Sequence, residues 1–239
     1  MERGALAAEF YIEDHAVLYG LLVKYARLEK GGEGREAAAR ATVRYGRERG
    51  LRMAMRCRAD GRELSPNNYL DYGEWFDDRG WSDFRAASLR PFVLEAHSCG
   101  WKKSWGKYGL TEDGSLYCQI VDVELVRGFN PANEVLVDGV LTQGAKKCSF
   151  HFSGAAYEGE DDLAAAAARR TELRPRTVKD FLFHSGHVLS AFRGVYLLEF
   201  GLDKGGRILG QALADYGAVF GEVKLRALIL ESEQNYLLI

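Results

Sequence analysis

The sequence predicts an α+β fold: a small antiparallel sheet with flanking helices, plus a C-terminal pair of long helices that repeats the N-terminal pair. Three observations predict it. Apolar residues recur at helical spacing near both ends of the chain. One central stretch alternates apolar and polar residues at the two-residue period of a strand. Glycine or proline punctuates each change of pattern.

The N-terminal helix follows from Val17, Leu18, Leu21, Leu22 and Tyr25, which share one helical face. Gly31-Gly32 breaks it, and a second helical run covers about Arg35 to Met55. The stretch SPNN at 65–68 reads as a turn, and YLDYGEWF fits either a helical turn or a strand. PFVLEAHS follows Pro91 and reads as a strand ending at His97. A short helix over Gly100–Leu110 precedes a longer one with Thr111 as its N-cap. In that longer helix Leu116, Ile120, Val123 and Phe129 form an apolar stripe. Cys118, Asp122 and Leu125 lie on the neighbouring face, and Pro131 ends the element.

A hairpin follows, with Val135, Val137 and Leu141 before the glycine turn in QGAKK. After it, Cys148, Phe150 and Phe152 share the buried face, while Ser149 and His151 point outward. EDDLAAAAARRTEL is an Ala-rich helix with acids at its positive end. Long helices over about 177–200 and 205–230 complete the chain. They resemble the first pair: Tyr45-Gly46 and Gly50 correspond to Tyr216-Gly217 and Gly221 at one constant offset. The expected organisation is an α+β domain over 1–155 with a helical extension over 156–239 packed on it.

Composition excludes several classes. The 239 residues are 47% hydrophobic and 28% charged, with net charge -2, as in an ordinary globular protein. Arginines are interleaved with acids, as in RYGRERGLRMAMRCRADGRE, so no basic stripe points to nucleic acid. No run approaches the roughly 18 apolar residues of a membrane span. Glu9, Glu13 and Asp14 interrupt the region where a signal peptide would be apolar. The expectation is a cytoplasmic protein with neither nucleic acid nor membrane as partner. Its cysteines Cys57, Cys99, Cys118 and Cys148 stay reduced there.

Those cysteines lie too far apart in the chain for a local zinc signature. His97, Cys99, Cys118 and Cys148 remain candidate metal ligands if strand, helix and hairpin converge. Cys99 has His97 two residues before it and a helix start after it, both of which favour a thiolate. Cys118 lies one helical turn before Asp122, a neighbour that disfavours a thiolate and suits a polar or metal-binding face. His184 and His187 sit three apart and share a helix face. Motifs for zinc proteases, nucleotide hydrolases, α/β-hydrolases and dinucleotide enzymes are absent.

Residues 97–153 as a unit carry a more specific pattern. It runs Cys99 and Trp101, Gly109-Leu110, Leu116-Tyr117-Cys118, Asp122, Gly128-Phe129-Asn130-Pro131, Gly144, then Cys148-Ser149-Phe150-His151-Phe152. In order and spacing this resembles the L-2-amino-thiazoline-4-carboxylic acid hydrolase family and, more distantly, the 4-vinyl reductase domain. Gly100 and Ala145 stand where the family often has Pro and Asp.

The resemblance implies an enzyme that opens a small cyclic amidine or thiazoline ring by adding water at the carbon between N and S. It implies Asp122 or Glu124 as base. It implies His97, Cys99 and Cys118 as metal ligands or as a nucleophile pair, Asn130 as substrate-orienting, and Trp101 and Tyr72 as pocket walls. If a metal binds, these ligands suit zinc; the cofactor is otherwise left open. The alternative is a non-catalytic module that binds or senses a heterocyclic ligand. Apolar faces on the last two helices lead to the expectation of a homodimer.

Overall fold

The structure is a computed structural model that describes residues 3–237. A short helix α1 (Arg3–Ala7) precedes the long element α2 (Ile12–Ala59), whose helical path breaks at Gly31. Gly31 has φ 58°, a conformation that side-chain-bearing residues adopt only at a cost. There the chain reverses. Tyr19 and Thr42 meet hydroxyl to hydroxyl at 2.8 Å, and the His15 ring reaches the Tyr45 hydroxyl at 3.0 Å. In a straight helix those partners would be more than 30 Å apart. Gly34 lets the arms close, because a Cβ there would lie 1.9 Å from the Ala26 carbonyl oxygen.

The same device recurs near the C-terminus. After α3 (Pro66–Asp71), β1 (Asp83–Leu89), β2 (Phe92–Ser98), α4 (Gly100–Tyr108), α5 (Thr111–Phe129), β3 (Val135–Asp138), β4 (Cys148–Phe152) and α6 (Glu160–Thr177) comes α7 (Phe181–Phe220). It breaks at Gly201, φ 72°, and a Cβ on Gly205 would lie 2.5 Å from the Tyr196 carbonyl oxygen. The two long helical elements are therefore two glycine-hinged hairpins, as the internal resemblance predicts. The second hairpin ends at Gly221, φ 89°, and the separate helix α8 (Glu222–Glu231) follows.

The chain forms two compact units, each assembled from separated segments. One holds the chain through Tyr45, Gly100–Ile120 and the residues from Asp180 on. The α7 hairpin and the α2 hairpin as far as Tyr45 lie in it and are tied by the Tyr196 hydroxyl on the Leu22 carbonyl (3.0 Å) and the paired Arg40–Glu199 contacts (2.7 Å). Its interior is aromatic: Tyr117 meets Tyr19, His15 and Trp101 with ring centroids 5.0, 5.6 and 6.1 Å away.

The other unit holds Gly46–Cys99 and Val121–Lys179. Its four-stranded antiparallel sheet has the order β1-β2-β4-β3, with Ala96 opposite Cys148 and Val135 opposite Phe152. Phe92, Val135 and Phe152 from the sheet pack with Val126 of α5 and Ala166 of α6. The end of α2 crosses the end of α5 at backbone contact. A Cβ on Gly50 would stand 2.1 Å from the Leu125 carbonyl oxygen, and one on Gly128 would stand 2.4 Å from the Arg47 carbonyl oxygen.

Four local expectations change. The SPNN segment is not only a turn: Ser65 caps α3 by accepting the Asn68 N–H, with Pro66 in the first turn. Thr111 is the first helical residue of α5 rather than its cap. Leu141 lies in a 3-10 turn, Leu141–Gln143, rather than in β3. Strand β1 is an edge strand with four exposed central residues, so it lacks the apolar alternation that reveals β4. His151 is half-buried rather than fully turned to water.

Gly50→Ala should lower the free energy of unfolding by on the order of 2–3 kcal/mol, because the added methyl overlaps backbone that cannot step aside. Gly210→Ala, in α7 with nothing within 4 Å of the new Cβ, should raise it by about 0.5–1 kcal/mol. Urea denaturation of both variants distinguishes a required close approach from a helix glycine replaceable by alanine.

Candidate active site

The α2–α5 crossing places an arginine stripe inside the second unit. Arg49, Arg52 and Arg56 recur on one side of α2, and each reaches Glu74, which is 0% exposed. Arg52 holds it through two contacts of 3.0 and 2.8 Å, and Arg56 Nη1 adds a third at 2.8 Å. A buried carboxylate held this way is costly to disrupt, since removing it leaves buried cations behind.

Asp122 projects from α5 beside this stripe. It is half-buried, and it accepts no hydrogen bond from the described residues. Desolvation pushes its carboxyl up to about 6, and the Arg49 charge pulls in the opposite direction. A carboxylate with that value is near the optimum for a general base at neutral pH. Along the same stripe of α5, Val126 and Phe129 follow one and two turns later and pack in the two cores.

The Tyr69 ring packs against both cores, edge-on to Phe129 at 5.7 Å and tilted on Phe152 at 5.8 Å. Its phenol is held protonated above the ordinary tyrosine range, first by burial and then by the Asp122 charge, against Arg49 and Arg170. Like Asp122, its hydroxyl bonds to no described residue. Two titratable groups with opposite resting protonation, sharing neighbours, are the usual framework of acid–base chemistry.

The other residues singled out from the sequence have different surroundings. Glu124 is bound by Arg47 at 2.6 Å and Arg127 at 2.7 Å. The Asn130 side chain donates to the Leu64 carbonyl and accepts from the Ala132 N–H, so it braces the turn after α5. Tyr72 is 0% exposed and donates to Asp60 at 2.6 Å. In the first unit, Trp101 donates to His15 Nδ1 at 2.9 Å, which leaves the proton on Nε2 to face Tyr45. His184 and His187 are buried there, with His187 stacked on Tyr236 at 4.4 Å.

Cys99 and Cys148 join a small cluster with Ala96 and Leu141, and the Cys148 sulfur accepts the Leu141 N–H at 3.3 Å. His97 turns to Glu95 at 3.1 Å, and Glu95 also takes Lys147. Cys118 is half-buried one turn before Asp122. Among the described residues no three His, Cys, Asp or Glu gather to hold a metal. His97, Cys99, Cys118 and Cys148 thus form no such group among the described residues.

A groove of about 370 Å³ is lined by Asp60, Arg62, Arg169, Glu172, Leu173 and Arg176. Its arginines are occupied: Arg176 grips Asp60 at 2.9 Å, while Arg169 and Arg62 face Asp71 at 3.3 and 3.8 Å. Tyr69, Arg49 and Arg170 were missed in the sequence. Their only signal was position, and position depends on the α2–α5 crossing.

The second unit is thus an α+β unit that holds a desolvated carboxylate, Asp122, and a buried phenol, Tyr69. Residues 11–152 match the family model of the L-2-amino-thiazoline-4-carboxylic acid hydrolases, more than half of the chain, and the protein belongs to that family. No curated protein and no solved structure matches it. Among the described residues no helix is long and apolar enough to cross a membrane.

Asp122 makes stability depend on pH in a defined direction. Its folded-state pKa is raised, so the fold prefers the protonated form. Ionisation above about pH 6 costs stability, and the cost vanishes below the unfolded value near 3.8. Asp122→Asn should therefore stabilise the protein by on the order of 2 kcal/mol at pH 8, and by almost nothing at pH 4. Denaturation curves of both proteins at the two pH values check the sign.

Proposed function

We propose that the protein is a hydrolase that opens a small cyclic amidine of the thiazoline type, with Asp122 as general base. The observation that carries this reading is the Asp122 carboxyl on α5, desolvated so that it is pushed up to about 6 and without a hydrogen bond from any described residue. Membership of the family supplies the substrate class.

In this reading Asp122 takes a proton from water as the water oxygen bonds to the ring carbon between N and S. The electrons of the C=N bond move to nitrogen, which receives a proton from the Tyr69 phenol. The tetrahedral carbon then reforms a C=O bond, and one ring bond at that carbon breaks. The departing atom takes the proton held by Asp122, and the intermediate's hydroxyl proton returns to Tyr69. Water is consumed, and an open-chain carbamoyl product leaves. Arg49 lies where it offsets the charge that builds on this side of the site.

Asp122→Asn should reduce turnover of 2-aminothiazoline-4-carboxylate by about 10²–10⁴-fold, the usual worth of a general base. In the unaltered protein kcat/KM should fall on the acid side with an apparent pKa near 6. Turnover undiminished in Asp122→Asn, or an acid limb unchanged by that substitution, removes Asp122 from the chemistry.

A further inference from the structure

Several arginines of the second unit pair with an acid. Arg49, Arg52 and Arg56 share Glu74, Arg169 has Asp71, and Arg176 has Asp60. On α6 the pattern is broken by Arg170 and Arg174, one turn apart. Among the described residues neither makes an ion pair with a carboxylate.

Arg170 is half-buried. Its one hydrogen bond is a long contact of 3.4 Å to the Trp75 carbonyl, in space left by Gly73, where a Cβ would lie 3.2 Å from Arg170 Nη2. Asp71 is within its field but is already engaged by Arg169 and Arg62. Arg174 lies flat on the Phe76 ring, 3.4 Å from its centroid, with its Nε–H buried and unbonded. Burial, and then the Arg174 charge, lower the Arg170 pKa. Two adjacent guanidinium groups, partly desolvated and without an anion of their own, cost the fold stability that an anionic ligand would return.

Their position gives the pair a use. Val126, one turn after Asp122 on α5, and Ala166, one turn before Arg170 on α6, belong to one core cluster against which Tyr69 packs, so the cationic pair and the proposed base extend from the same cluster. We propose that Arg170 and Arg174 form the carboxylate-recognition subsite, with the Phe76 ring as its floor, and set the protein's preference for heterocycles that carry a ring carboxylate. A forked guanidinium matches a planar carboxylate with two parallel N–H···O bonds, and Arg174 adds its Nε–H. The identity of the ligand rests on the hydrolase reading; the anion site itself rests only on the arginines.

The test is calorimetric binding of 2-aminothiazoline-4-carboxylate, of 2-aminothiazoline without the carboxylate, and of malonate. The proteins are the unaltered chain and the variants Arg170→Gln, Arg170→Lys, Arg174→Gln and Arg176→Gln. The unaltered protein should prefer the carboxylate ring by at least about tenfold. Arg170→Gln should abolish that preference, Arg170→Lys and Arg174→Gln should reduce it, and Arg176→Gln, already paired with Asp60, should keep it. Thermal unfolding of each variant verifies its fold, and Arg174→Gln serves if Arg170→Gln does not fold.

No carboxylate preference in the unaltered protein overturns the subsite. So does a preference that survives intact in folded Arg170 and Arg174 variants, even with ring opening undiminished. A preference lost in those variants with no ring opened by any of the proteins sustains the subsite and sinks the hydrolase reading instead.

Discussion

The α2–α5 crossing in the second unit is the constraint on which the site depends. Helices normally pack 8–10 Å apart because side chains hold them off. Here Gly50 and Gly128 remove those side chains, and peptide lies on peptide. Such an approach excludes water from the flanking residues, and those are charged: Arg49 and Arg52 on α2, Asp122 and Glu124 on α5. Glu124 is compensated by Arg47 and Arg127 at once. Asp122 is not, and desolvation raises its pKa.

Electrostatics then sorts the interior. Arg49, Arg52 and Arg56 of α2 converge on Glu74, and on α6 Arg169 and Arg176 are paired with acids while Arg170 and Arg174 between them are not. Where pairing is complete, as at Asp60, Tyr72 and Arg176, the groups act as structural braces, and the Asp60 carboxyl is pulled down to about 2, chiefly by Arg176. Where pairing is incomplete, at Asp122 and at Arg170 with Arg174, the charges make no ion pair among the described residues. Tyr69 packs against the core cluster from which both extend, fixed by aromatic packing from α5 and the sheet. The residues of the proposed base and of the proposed anion subsite thus lie in one unit of the chain.

Much of the fold was legible. Leu18 and Leu22 recur at helical spacing because a helix repeats every 3.6 residues, and Cys148, Phe150 and Phe152 alternate because a strand repeats every two. Gly31 and the glycines after Phe200 announced the hinges, since positive φ has almost no other occupant. Edge strand β1 was illegible because exposure erases the alternation. For the site, Asp122 stood out in the sequence one helical turn after Cys118 and in the motif shared with the family. Asn130, Tyr72 and Trp101 were equally conspicuous, yet the structure engages each in internal hydrogen bonds.

By itself the sequence determined the α+β class, the repeated glycine-hinged hairpins and the family, because these depend on local periodicity, backbone freedom and ordered motifs. Only the tertiary structure decided which polar residues are satisfied and which are poised. Arg169 and Arg170 are neighbours of the same type in the chain, and nothing local separates them. Asp71 stands beside one and is spent before it reaches the other. That difference is a matter of distances between elements, and distances exist only once the chain has folded.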